Sequence, residues 1–100
     1  MTYRLDRAPG VEQSLERLTR SDPDGARLLA TAILGLAENP RPDGVHELSR
    51  EERLYRLHLS RLDQVSRRTL GYRLLYRVVD EQVLVIVITA GAVPTPSRRR

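Results

Sequence analysis

Arg56 and His58 stand two residues apart in LYRLHL, and Arg73 and Arg77 stand four apart in GYRLLYRVV. Side chains alternate along a strand, so Arg56 and His58 share one face of theirs, and Arg73 and Arg77 share one face of theirs. Counting Arg4 of TYRLDR, three separate stretches bring five groups able to carry positive charge. Their joint chemistry is anion binding with proton transfer. A guanidinium offers a planar fork of donors to phosphate but stays protonated, so it clamps an anion and is poorly suited to take up a proton. His58 fills that gap, because an imidazole with an ordinary pKa of about 6.5 accepts a proton at neutral pH. Nearby arginines push that value down and keep the ring neutral. Arg73 reads as the phosphate clamp, with Arg56 and Arg77 in weaker support. His46, in the loop before the Arg56 strand, is assigned a structural place.

These residues need strands to position them. Residues 2 to 7 alternate, with Tyr3 and Leu5 on one side and Arg4 and Asp6 on the other, which predicts a short half-buried strand ended by Ala8-Pro9-Gly10. Val11, Leu15 and Leu18 follow helical spacing. Ser21-Asp22-Pro23 then supplies a capping side chain and a proline for a first turn. The stripe Ala26, Leu29, Ala30, Ile33, Leu36 and Ala37 carries the second helix to about Glu38. Asn39 to Gly44 is dense in helix breakers and returns the chain across the surface.

A strand over 54 to 59 follows. Residues 60 to 70 have no sustained period and read as a long loop or an extended hairpin tip. In the next strand Tyr72, Leu74, Tyr76 and Val78 share a packing face, so Tyr72 and Tyr76 are core, and Tyr55 is too. Asp80-Glu81-Gln82 reverses the chain into Val83 to Ile88, apolar throughout, as suits a mid-sheet strand covered on both sides. The order predicts an α+β fold, β-α-α-β-β-β, with two N-terminal helices on one face of a largely antiparallel four-stranded sheet. The opposite, open face would carry Arg4, Arg56, His58, Arg73 and Arg77.

One hundred residues make a single domain, expected over 1–91, with a disordered Pro/Arg tail over 92–100. The 17 basic residues are all arginine and the net charge is +4, which favours anionic partners. The absence of cysteine removes thiolate nucleophiles, disulfides and cysteine metal sites and fits a reducing cytoplasm. No apolar run approaches the roughly 18 residues of a membrane span, and the N-terminus does not read as a signal peptide, so neither a membrane partner nor export is expected.

The segment GYRLLYRVVDEQVLVIVITAG, with its Gly-Tyr-Arg-Leu opening, Asp-Glu turn and valine-rich strand, resembles the RelE toxins of bacterial toxin–antitoxin pairs, within the RelE/ParE superfamily. AENPRP (37–42) and LYRLHL (54–59) resemble the family at equivalent places, so the likeness covers nearly the whole chain. It implies the same fold and a ribosome-dependent endonuclease that cuts messenger RNA in the A site, without metal or cofactor, by attack of the ribose 2′-hydroxyl on the adjacent phosphate. It also implies Arg56, His58 and Arg73 as catalytic residues and a cognate antitoxin as partner, with operator DNA reached only through the antitoxin complex. Arg4, Arg77, Arg98, Arg99 and Arg100 are expected to bind RNA.

The chain departs from the family after its last strand. Val93 stands near the place of a second catalytic arginine, and a tyrosine position falls in Arg98-Arg99-Arg100. Those losses favour two alternatives: a ParE-like toxin that inhibits DNA gyrase by binding, or a RelE fold with a degenerate, inactive site.

Overall fold

The computed structural model describes residues 2–93. The elements are β1 (Arg4–Arg7), α1 (Val11–Ser21), α2 (Pro23–Glu38), β2 (His46–Ser49), β3 (Leu54–Leu62), β4 (Thr69–Val79), a 3₁₀ turn (Asp80–Gln82) and β5 (Leu84–Ala92). The sheet order is β1-β5-β4-β3-β2, antiparallel except where β1 runs parallel to β5.

The sheet therefore has five strands where four were expected. The fifth is β2, which pairs with β3 through His46 opposite Arg56 and Glu47 opposite Tyr55, then bulges before Ser49. Its sequence HELS has no apolar alternation, because an edge strand this short draws its stability from the ladder and not from a buried face. Residues 60 to 70 resolve in favour of the hairpin tip. β3 runs on to Leu62, β4 starts at Thr69, and Asp63 N–H donates to Arg68 O (2.8 Å) to close the end.

Helices α1 and α2 cover one face. Val11, Leu29, Ile33 and Leu36 meet Tyr55, Leu57, Tyr72, Leu74, Tyr76, Val78, Val85 and Val87 there in one buried cluster, so the parity reading of the three tyrosines as core is borne out. β5 lies in mid-sheet as expected, but among the described residues no element packs over its second face. Leu84 is buried and Ile86 half-buried there. The stems of neighbouring arginines are suited to cover such apolar surface while their heads stay in water.

Two clamps tie the layers together. At one end Asp22 caps α2 by accepting from Gly25 N–H (3.0 Å), and it also accepts from the Tyr72 hydroxyl and from Arg61 Nη2. Arg61 Nε reaches the same hydroxyl (3.0 Å). At the other end Asp80 accepts from Tyr3 Oη (2.8 Å) and from Arg41, whose guanidinium lies 5.1 Å from the Tyr55 ring centre.

Gly25 makes the first clamp possible, since a Cβ there would lie 2.5 Å from Tyr72 Cε2 and closer still to the tyrosine and Asp22 oxygens. Alanine usually strengthens a helix relative to glycine by up to about 1 kcal/mol, but here it must push a buried ring. Gly25→Ala is expected to lower unfolding free energy by about 2 kcal/mol in urea titration.

β5 extends to Ala92, one residue past the expected domain boundary, and Val93 N–H donates to Gly71 O (2.9 Å). The rest of the expected tail, with Arg98, Arg99 and Arg100, lies outside the described residues.

Candidate functional site

The open face is set by the register of β3 against β4. His58 lies directly opposite Arg73, and Arg56 opposite Leu75, so the Cα atoms of each pair are about 5 Å apart and their side chains leave the sheet together. Arg56 and His58 are neighbours on one face of β3, one pleat apart. Alternation fixes this face because the intervening Tyr55, Leu57, Tyr72 and Leu74 are buried under the helices.

Arg73 is exposed and makes no hydrogen bond or ion pair among the described residues, so its whole fork of donors is open to a ligand. Arg56 is half-buried, and its Nε is the one buried side-chain polar atom lacking a hydrogen-bond partner among the described residues. A buried donor without a partner carries a desolvation cost that the fold does not offset. The His58 imidazole is held below its ordinary pKa by partial desolvation first, then by the charges of Arg56 and Arg73, and last by His46. It is therefore neutral at physiological pH and free to take a proton.

Two hollows flank the pair. On the β5 side Gly91 lies opposite Arg73 and carries no side chain, leaving a hollow of about 210 Å³ lined by Arg73, Thr89, Gly91 and Val93. At about 30 Å³ per water molecule, that is room for about seven, enough to seat a phosphate against Arg73. On the other side, where β3 continues past the end of β2, Asn39, Pro42, Asp43, Leu57, His58 and Leu59 line a groove of about 310 Å³ against α2. His58 thus stands at the lip between the open face and this groove.

The remaining expected residues are not part of the cluster. Arg77 shares the face but lies four residues along β4, about 13 Å away, and its Nε donates to Glu52 O (2.9 Å). Arg4 is on the open face by register, opposite Leu84, which in turn pairs with Val79. That puts it six residues along and two strands across from Arg73, about 20 Å along the strand direction alone. Parity assigns a face and says nothing about distance along it.

One residue was missed. His46, assigned to a loop in the sequence reading, is on β2 opposite Arg56 and so projects from the same open face. The available signal was the turn after it, where Ser49 Oγ accepts from Glu52 N–H (3.1 Å) and folds β2 back onto β3. Among the described residues, no three metal-ligating side chains gather in one place. No helix of the described residues is long and apolar enough to cross a membrane.

Residues 7–91 match the family model for the ParE toxin of type II toxin–antitoxin systems, parDE. No curated protein matches the chain. Among solved structures it is similar to a double mutant of the Escherichia coli toxin RelE in the free state, at 28% identity and TM-score 0.63, over 91% of this chain and 83% of that one. It is also similar to the same E. coli toxin mutant in complex with a peptide of the antitoxin RelB, at 27% identity and TM-score 0.63, over 95% of this chain and 87% of that one. The Mycobacterium tuberculosis toxin–antitoxin complex RelBE2 shares the fold at 21% identity and TM-score 0.65, over 93% and 100% of the two chains.

Proposed function

The chain belongs to the RelE/ParE superfamily of type II toxins, and on that premise we propose that it is a ribosome-dependent endonuclease of messenger RNA. The observation that carries this reading is His58 directly opposite Arg73, with Arg56 beside them on the same open face. Attack of a ribose 2′-hydroxyl on the adjacent phosphate needs a proton removed from the attacking oxygen and positive charge near the crowded phosphorus. Neutral His58 takes the proton. Arg73, with no competing partner, grips the non-bridging phosphate oxygens, and the positive charge of Arg56 beside them offsets the charge that accumulates there. Arg77 follows the RNA backbone farther along the face, at a distance from the reacting phosphate.

The same face suits a cognate antitoxin. Half-buried Leu54, Leu75, Val79 and Ile86 surround Arg77 on this face, with Arg56 and Arg73 farther along it, which fits an amphipathic segment carrying carboxylates. Such a segment would shield the apolar side chains and neutralise the arginines together. Contact with operator DNA would then run through the antitoxin complex, and the toxin would act in the cytoplasm.

Primer extension on message from a reconstituted translation reaction tests the nuclease reading. The wild-type chain is expected to cut at A-site codons only when ribosomes are present, and His58→Ala is expected to cut about 100-fold more slowly. Message left intact at high toxin dose, with gyrase supercoiling inhibited instead, would replace this reading with a binding toxin of the ParE kind.

A further inference from the structure

The reaction above uses two protons and the cluster of Arg56, His58 and Arg73 handles one. Once the 2′-oxygen has bonded to phosphorus, the bond from phosphorus to the 5′-oxygen must break, and that oxygen leaves readily only if it is protonated. Arginine does not give up its proton at neutral pH. His58, having just served as base, stands on the side of the attacking oxygen. A second titratable donor is required.

We propose that His46 is that donor, the general acid that protonates the leaving 5′-oxygen, in an imidazole pair with His58 built across β2 and β3; the assignment rests on the nuclease reading. His46 is opposite Arg56, and His58 is one pleat along β3 from Arg56 on the same face. The two histidines are therefore diagonal neighbours, about 7–8 Å apart. A phosphate held by Arg56 lies between them, with one imidazole toward each of its two reacting oxygens. His46 is exposed and makes no hydrogen bond among the described residues, so its ring is free to turn toward a ligand. Consistent with that placement, His46 is the last of the causes that hold the His58 pKa down, after desolvation, Arg56 and Arg73.

The step balances without a co-reactant. The 2′-O–H bond breaks, its proton passes to His58, and the 2′-oxygen forms a bond to phosphorus. The bond from phosphorus to the 5′-oxygen breaks, and that oxygen takes a proton from His46. A 2′,3′-cyclic phosphate and a 5′-hydroxyl result, with His58 protonated and His46 neutral, and exchange with water restores both. The charged and titratable groups facing the pair are Arg56 and Arg73 on the sheet and Asp43 at the edge of the groove beside His58.

The test is the single-turnover cleavage rate on programmed ribosomes between about pH 5.5 and 8.5, where imidazoles titrate. Wild type should give a bell-shaped profile, falling in acid as the base is protonated and in alkali as the acid loses its proton. His46→Gln should cut about 100-fold more slowly and lose the alkaline limb, whereas His58→Gln should lose the acid limb. NMR titration of the free protein gives a readout apart from activity: in His46→Gln the His58 midpoint should rise, because His46 is one of the groups that lower it. Wild-type rate with both limbs intact in His46→Gln would overturn the inference and leave the nuclease reading standing. Uncut message with wild type would overturn the nuclease reading itself, and the proposed role of His46 with it.

Discussion

Arg73→Ala should reduce cleavage on the ribosome by about 1,000-fold, about 4 kcal/mol of transition-state stabilisation, while leaving the unfolding midpoint almost unchanged. The two halves of that expectation have separate causes. Arg73 is exposed and makes no hydrogen bond or ion pair among the described residues, so its removal costs the fold little, as is usual for surface positions without such features. Its fork faces the Gly91 hollow and stands opposite His58, so the loss falls on the charge that builds up at phosphorus. Arg73→Lys should recover only part of the rate, because a single ammonium cannot engage two phosphate oxygens in one plane. Paired primer-extension rates and urea titrations measure both halves. A rate loss matched by a comparable loss of stability would mean that Arg73 holds the sheet together and does not act on phosphate.

Asp22→Ala should lower unfolding free energy at pH 7 by about 3 kcal/mol, adding the loss of a helix cap to the loss of charge-assisted hydrogen bonds at a largely buried junction. The carboxylate accepts from Gly25 N–H, from the Tyr72 hydroxyl and from Arg61. Burial alone would raise its pKa, but the hydrogen bonds from Tyr72, Gly25 and Arg61 together outweigh it and hold the group below its ordinary value. The sign follows. A carboxyl with a depressed folded-state pKa contributes its full stability above its unfolded value of about 4 and loses that contribution as pH falls through the folded value. The gap between wild type and Asp22→Ala should therefore be widest near neutrality and shrink in acid. Asp80, held low first by its hydrogen bond from Arg41, shifts the wild-type curve in the same direction. An equal gap at about pH 3 and pH 7 would show that the interaction is not carried by the carboxylate.

The two clamps were illegible in the sequence for a common reason. Arg61 lies in a stretch without periodicity, and its partner Asp22 is 39 residues away, so neither residue carries a local sign of the other. Asp22 was legible as a cap because capping is local, and Asp80 as a turn residue for the same reason, but what else they hold was not. The hairpin of β3 and β4 was readable because Tyr72, Leu74, Tyr76 and Val78 recur at every second position, and that period places Arg56, His58 and Arg73 on one face. It could not report spacing along the face, which is why Arg4 was grouped with them. His46 escaped because β2 is a four-residue edge strand whose position is set by its ladder to β3.

β5 is the last strand among the described residues and sits between β1 and β4. Arg4 has no strand to pair with until Leu84 has been made, and both helices rest partly on β5. During synthesis the hairpin of β3 and β4 is therefore complete before its neighbour β5 exists. A nascent chain carries its arginines and histidines in order but lacks the full sheet that sets them side by side. The open face therefore gains the strand that joins β1 to β4 only once synthesis has passed through β5.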